Sequence, residues 1–286
     1  MNRRKFVQNS ALATAGALAA PSLMSLADIE KIREFGVQLY TVRDPLQKDY
    51  AGTVKSQSKI GYDFCEVFGY GDGKLLGLTL DEAKKAHAKA KLPVRSMHVM
   101  PDIMRGDWQQ AVDFAAELGA QYIVCAYIVE EERQRIDQYK ALIDQINKCA
   151  EISSKSGIQF AYHNHEFEFD TVDGQVPYDL LLGQTDKSLV KMELDLYWVR
   201  YADKDPIKLF RENQGRFPLW HVKDMELADT RVMTEVGAGR IDWRQIFVYA
   251  QDAGMQHFFV EQDRNWVKDP VSSTSTSYKY LKSLRY

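Results

Sequence analysis

The 286-residue chain has only three cysteines, Cys65, Cys125 and Cys149. An odd number at such wide spacing makes neither a disulfide framework nor a zinc knuckle. The three thiols read instead as small buried hydrophobes. Long apolar runs are also scarce. The Ala-rich stretch 11–20 is too short to be a comfortable membrane span. Positive charge is not in excess: a formal net charge of −3 gives no electrostatic reason to expect nucleic acid or an anionic membrane. The turn at 40–46, after the first strand-like segment, has no glycine-rich phosphate loop, which argues against a doubly wound dinucleotide-binding sheet.

What remains is the composition of a globular protein, 45% hydrophobic and 27% charged. At 12%, aromatics are somewhat rich. Many flank polar strand ends, where a sugar pocket would use them, and core packing accounts for them equally well. Residues 1–27 begin with Arg3, Arg4 and Lys5, continue into the apolar stretch, and reach the small-residue sequence Ser25-Leu26-Ala27. This resembles a twin-arginine export signal and implies a periplasmic destination for residues 28–286. With no cysteine following the apolar stretch, no lipoprotein anchor is expected.

From residue 35 the chain alternates. Strand-like segments at 35–42, 62–70, 93–100, 120–129, 158–163, 188–199, 217–225 and 255–263 alternate with helical ones at 50–60, 79–91, 108–118, 134–156, 177–182, 206–213, 242–253 and 270–284. Gly61, Gly119, Gly157 and Gly254 sit where helices should stop, and Thr79 with Glu82 forms a capping box. Eight strand–helix units without a compositional break predict a parallel sheet closed as a (β/α)8 TIM barrel in one α/β domain.

Chemistry gathers at the strand ends. The stretch IQFAYHNHEFEFD (158–170) delivers His163, His165 and Glu168; later strands end in MELD, HVKD and VEQD. In this fold the C-terminal strand ends carry catalysis, and buried charges there must be paired or bound to a cation. Mixed His, Asp and Glu suit a divalent metal such as Mn²⁺, Zn²⁺, Co²⁺ or Fe²⁺ rather than Ca²⁺.

The segments LDLYW (194–198), HVKD (221–224), VGAGRIDW (236–243) and VEQD (260–263), in this order, make the mature chain resemble the sugar phosphate isomerase/epimerase superfamily of xylose isomerase-like TIM barrels. The resemblance implies a metal-dependent enzyme acting on a small-molecule sugar or keto-sugar. It implies that Asp195, His221 and Glu261 are metal ligands. His163 stands where the family usually has a glutamate, so it is either the fourth ligand or a donor to one. Two-glutamate epimerisation therefore loses one partner. The Y-H-x-H form leans toward the inosose dehydratase branch, a lyase acting on a 3-keto-sugar or inosose-like substrate.

Glu261, His165, Lys223 and Glu168 are the candidate catalytic groups, with Lys223 acting as a clamp or as an amine of lowered pKa. Glu66, His98, Arg240 and Trp198 are the candidate substrate contacts. Glu193, two residues before Asp195, reads as a support. His87 and His257 read as surface residues. An exported sugar-binding barrel is the non-enzymatic alternative. Nucleic acid is not an expected partner, and a homo-oligomer is left open.

Overall fold

A computed structural model of the protein describes residues 32–228 and 231–286. The export signal expected at 1–27 lies outside them. Eight strands form a closed parallel barrel: β1 (Gly36–Gln38), β2 (Phe64–Val67), β3 (Val94–Val99), β4 (Tyr122–Cys125), β5 (Gln159–His163), β6 (Val190–Asp195), β7 (Leu219–Val222) and β8 (His257–Val260). Each pairs with its sequence neighbours, and β8 closes onto β1 through Gly36 beside Phe259 and Val37 beside Val260. No helix among the described residues is long and apolar enough to cross a membrane.

Local chemistry sets the element ends. Asp49 caps Tyr50–Ile60 by accepting the Gly52 N–H, and Gly61 ends it at φ 121°. The Thr79–Glu82 capping box forms around Leu80–Ala90. Several strands are shorter than the apolar pattern suggests. β1 stops because the Gln38 side chain accepts the Tyr40 N–H and starts a 3₁₀ turn, Leu39–Val42. β6 stops because Asp195 accepts from the Tyr197 and Trp198 N–H groups and opens the helix Leu196–Tyr201. Hydrophobic pattern alone does not register a side chain turned back as a cap. The helix expected at 242–253 is split into Trp243–Phe247 and Ala250–Ala253.

The barrel interior begins as an apolar layer of Phe64, Tyr122, Val124, Ala161, Leu219 and Phe259. Gly36 is required here: a Cβ would lie 2.5 Å from the Phe64 ring and 2.7 Å from Phe259. A larger core fills the space between strands and helices, with Trp220 stacked on Phe210 at 4.9 Å. All three cysteines are free and buried. His87 corrects the expectation of a surface residue. It is buried, with the Tyr50 hydroxyl 2.8 Å from Nε2 and the Leu92 carbonyl 2.9 Å from Nδ1.

Candidate active site

Because side chains alternate along a strand, residues two apart share a face. Two positions beyond the apolar layer the inward face turns ionisable: Phe64 is followed by Glu66, Ala161 by His163, Leu219 by His221 and Phe259 by Glu261. Register then joins the strands. His163 lies beside Glu193, and Asp195 beside His221.

The ionisable groups form two tiers that share His221. In the deeper tier, His98 Nε2 lies 2.6 Å from Glu193 Oε2 and 3.1 Å from Glu66 Oε2, while His221 Nε2 lies 2.7 Å from Glu66 Oε2. Gln38 donates to Glu66 at 2.7 Å. In the outer tier, one ligand atom each from His163, Asp195, His221 and Glu261 all lie within 4.8 Å of one another. Lys223 borders this tier, 2.6 Å from Glu261, 2.9 Å from Asp195 and 3.1 Å from Asp263.

The protonation pattern follows from burial and charge. Burial pushes His163 down to about 4, with positive His221 adding to the effect. Burial and His163 lower His165 well below its usual value. Burial would raise Asp195 and Glu261, but positive charge, chiefly that of Lys223, outweighs it and holds both carboxyls low. Burial likewise opposes charge on His221, yet Glu193, Glu261 and Glu66 raise it well above normal. The cluster draws positive charge to its centre.

The donor set fits a metal ion. His163 Nδ1 faces the Ala126 carbonyl at 3.0 Å, and a carbonyl only accepts, so Nδ1 carries the hydrogen. A neutral His163 then presents a bare Nε2 lone pair, 3.2 Å from the Asp195 Oδ2 carboxylate oxygen. Two lone pairs facing each other in a buried site call for positive charge beside them; the Lys223 ammonium supplies part of it, 2.9 Å from Asp195 Oδ2. His221 differs: ringed by carboxylates it holds its proton, with Nε2 2.7 Å from Glu66 Oε2 and Nδ1 2.7 Å from Glu261 Oε2, and a bound cation would take the place of the Nδ1 proton. Neither His221 Nδ1 nor Glu261 Oε2 makes a well-directed hydrogen bond among the described residues. Glu66 thus sits where a carboxylate fixes a ligating imidazole from behind. Asp195 is oriented too: its Oδ1 is used by the Tyr197 and Trp198 N–H groups, and Asn164 accepts its backbone N–H at 2.9 Å.

Above the cluster opens a cavity of about 560 Å³, lined among others by His98, His163, His165, Trp198, Lys223, Glu261 and Asp263. Four expectations need correction. Glu66 is fully buried in the deep tier and does not line this cavity. Glu168 is also fully buried and outside the lining; it accepts from the Tyr162 hydroxyl at 2.7 Å and the His165 N–H at 2.8 Å, so it braces the turn that carries His165. Arg240 is exposed and lines a separate 190 Å³ pocket with Asp203 and Asp205. Its loop is anchored by Asp224, whose Oδ1 accepts from Ile241 N–H and Oδ2 from Gly237 N–H and the Trp243 indole; a Cβ on Gly239 would lie 2.2 Å from Asp224 Oδ1. Lys223 is not an amine of lowered pKa: burial opposes its charge, but Asp195, Asp263 and Glu261 hold it well above normal.

Sequence reasoning assigned no role to Asp263, although it closes the VEQD segment. It also missed the mouth aromatics Tyr40, Phe68 and Tyr127. Tyr40 lies in the 3₁₀ turn Leu39–Val42, and Phe68 and Tyr127 on loops just past their strands, so the alternation expected of the longer strand-like segments does not hold at these positions.

A family model described as "Xylose isomerase-like TIM barrel" matches residues 54–284. An inosose dehydratase of Clostridium beijerinckii is 24% identical over 202 residues, 59% of this chain and 67% of that protein. The crystal structure of a sugar phosphate isomerase/epimerase from Parabacteroides distasonis superposes with a TM-score of 0.76 at 26% identity, covering 92% of this chain and 99% of the other. The structure of the IolI protein with a bound zinc atom superposes at TM-score 0.70 and 15% identity, covering 88% and 98% of the two chains, a likeness of fold.

Proposed function

Because the chain belongs to the xylose isomerase-like TIM barrel family, we propose that it is a divalent-metal-dependent enzyme moving a proton at a carbon beside a sugar carbonyl, as isomerases and epimerases do. The observation that carries this reading is the convergence of one ligand atom each from His163, Asp195, His221 and Glu261 within 4.8 Å of one another, set beneath a cavity of sugar-accommodating size. His163, Asp195, His221 and Glu261 would hold the ion, and two imidazoles with two carboxylates suit Mn²⁺, Zn²⁺, Co²⁺ or Fe²⁺. When bound, the ion would supply Lewis-acid polarisation of the sugar oxygens. The zinc in the IolI relative supports the assignment.

This chain's own groups do the rest. Glu261, ionised and on the cavity wall, takes the proton. His165, neutral and on the same wall, is the partner that accepts or returns one. Lys223 keeps Asp195 and Glu261 charged and lies 5.7 Å from the centre of the Trp198 ring, which offers a sugar its apolar face. Incubating the metal-loaded protein with a panel of keto-sugars tests the reading. An isomer of unchanged mass is expected, lost in Glu261→Gln. Ligand binding without turnover by the native protein would favour a binding barrel instead.

A second reading, β-elimination from a 3-keto-sugar or inosose-like substrate, is favoured by Asp263. Burial raises this carboxyl to about 6, against the opposing pull of Lys223. A carboxylic acid there can protonate a leaving hydroxyl, and the product would be lighter by one water. The export reading also stands as a proposal. Replacing both Arg3 and Arg4 by lysine should retain the protein in the cytoplasm, as cell fractionation would show.

A further inference from the structure

The cavity is larger than a single sugar ring requires. A water molecule takes about 30 Å³ of liquid with its hydrogens, so the twelve heavy atoms of a hexopyranose, drawn closer by covalent bonds, need less than about 360 Å³. The cavity holds about 560 Å³. The surplus lies toward solvent, because the metal-type ligands close the inner end.

The mouth is aromatic. Tyr40 and Phe68 meet edge to face at 5.1 Å on one side. Tyr127 stands on another, edge to face with His165 at 4.9 Å. Tyr40 is 39% exposed, and Phe68 and Tyr127 are half-buried. Exposed rings grouped around a cavity mark a surface that apolar contact would cover. The charges lining the cavity do not select a phosphate. Arg133, Lys223 and Arg264 are matched by Glu166, Glu261 and Asp263. Lys223 is spent on three carboxylates, and the Arg133 guanidinium lies on the Phe167 ring, 3.4 Å from its centre.

We propose that the substrate is a two-ring keto-pyranoside: the sugar ring, with its carbonyl on a ring carbon other than the anomeric one that the glycosidic bond locks, sits over the metal cluster, and its aglycone or second sugar sits between Tyr40, Phe68 and Tyr127. This rests on the sugar reading given above and narrows it from keto-sugars to keto-glycosides.

The test uses the full metal-loaded chain and 3-keto-pyranosides derived from the gluco, galacto, manno and xylo configurations, each as its methyl and its phenyl glycoside, with hexose 6-phosphates alongside. Affinities are read by calorimetry for the native protein and for a Tyr40→Ala/Phe68→Ala variant. In the configuration that binds best, the phenyl glycoside should bind at least about tenfold more tightly than the methyl one. The variant should lose that advantage while its affinity for the methyl glycoside stays within about twofold. No phenyl preference, a preference that survives the double substitution, or a sugar phosphate binding more tightly than any phenyl glycoside would each overturn the proposal. Failure of every keto-pyranoside to bind while free keto-sugars are still turned over would overturn the proposal alone, and failure of both would overturn the sugar reading as well. A metal titration of the same sample separates that outcome from failure of the cluster itself.

Discussion

The two halves of the barrel interior share strands, curvature and burial, yet one is apolar and the other ionisable. At the level of Phe64, Ala161, Leu219 and Phe259 the interior is a packed hydrophobic layer. Two residues along the same strands, Glu66, His163, His221 and Glu261 are just as buried. The first arrangement stabilises the fold. The second costs stability, since buried charges are worth little net even when paired. A chain that keeps eight buried ionisable groups (Glu66, His98, His163, Glu193, Asp195, His221, Lys223 and Glu261) at one end of a barrel that could be filled with leucine gives up stability to keep them. Substitutions in the two halves should therefore have opposite signatures.

The largest effect is expected at the ionisable end. Glu261→Gln should lower turnover by about 10²–10⁴-fold, the usual contribution of a positioned proton carrier, while the melting temperature changes little. Steady-state kinetics and thermal denaturation on the same sample check both halves. Phe259→Ala should do the reverse. Removing a fully buried ring that packs against Phe64 at 5.6 Å should cost about 3–5 kcal/mol in a denaturant titration. Metal affinity should persist in the fraction that stays folded. An equal loss of stability in both variants would erase the distinction between the halves.

Between the tiers the expected effect is smaller. Glu66→Gln removes the carboxylate that fixes the His221 tautomer and should weaken metal binding by about 10–100-fold. Competition with a chelator measures it. A loss no larger than that of an exposed Glu→Gln control would make Glu66 a bystander.

Glu168 sharpens the comparison through pH. Burial raises its carboxyl from 4.5 to about 7, although the Tyr162 hydroxyl and the His165 N–H pull the other way. The folded state then holds the proton more tightly than the unfolded one. The stability this contributes is complete below about pH 4.5 and is lost as pH rises through about 7. Glu168→Gln should therefore be the more stable protein at pH 8, by on the order of 1–3 kcal/mol. The gap should close near pH 4.5. Denaturant midpoints across that range decide it, and a pH-independent gap would remove Glu168 from the titration.

The architecture was legible in the sequence because it is written in local pattern. The helices Tyr50–Ile60 and Trp108–Leu118 have the bounds that their caps and apolar spacing predict. The eight-fold alternation predicts closure. Strand ends were less legible. At Gln38 and Asp195 a polar side chain turns back to cap the next turn, and no hydrophobic count registers that. At the site, residue type was informative where a strand fixes the direction of a side chain. His163, Asp195, His221 and Glu261 do converge. It misled where a loop or a bridge fixes it. Arg240 looked like a substrate contact, but Asp224 holds its loop away from the barrel mouth. Lys223 read as a clamp or as an amine of lowered pKa, and folding brings Asp195, Glu261 and Asp263 around it. Asp263 and the mouth aromatics depend on loop geometry, which a linear sequence does not encode at short range.

The most direct test is metal stoichiometry. Full-length protein prepared in metal-replete medium, or stripped and soaked in Mn²⁺, Zn²⁺, Co²⁺ or Fe²⁺, is assayed by elemental analysis beside Asp195→Asn folded to the same degree. About one divalent ion per native chain, and much less in the variant, is the predicted result. A native chain that holds no metal under any of these conditions would contradict the account, leaving Lys223 and protonated imidazoles as the only positive charge the cluster needs.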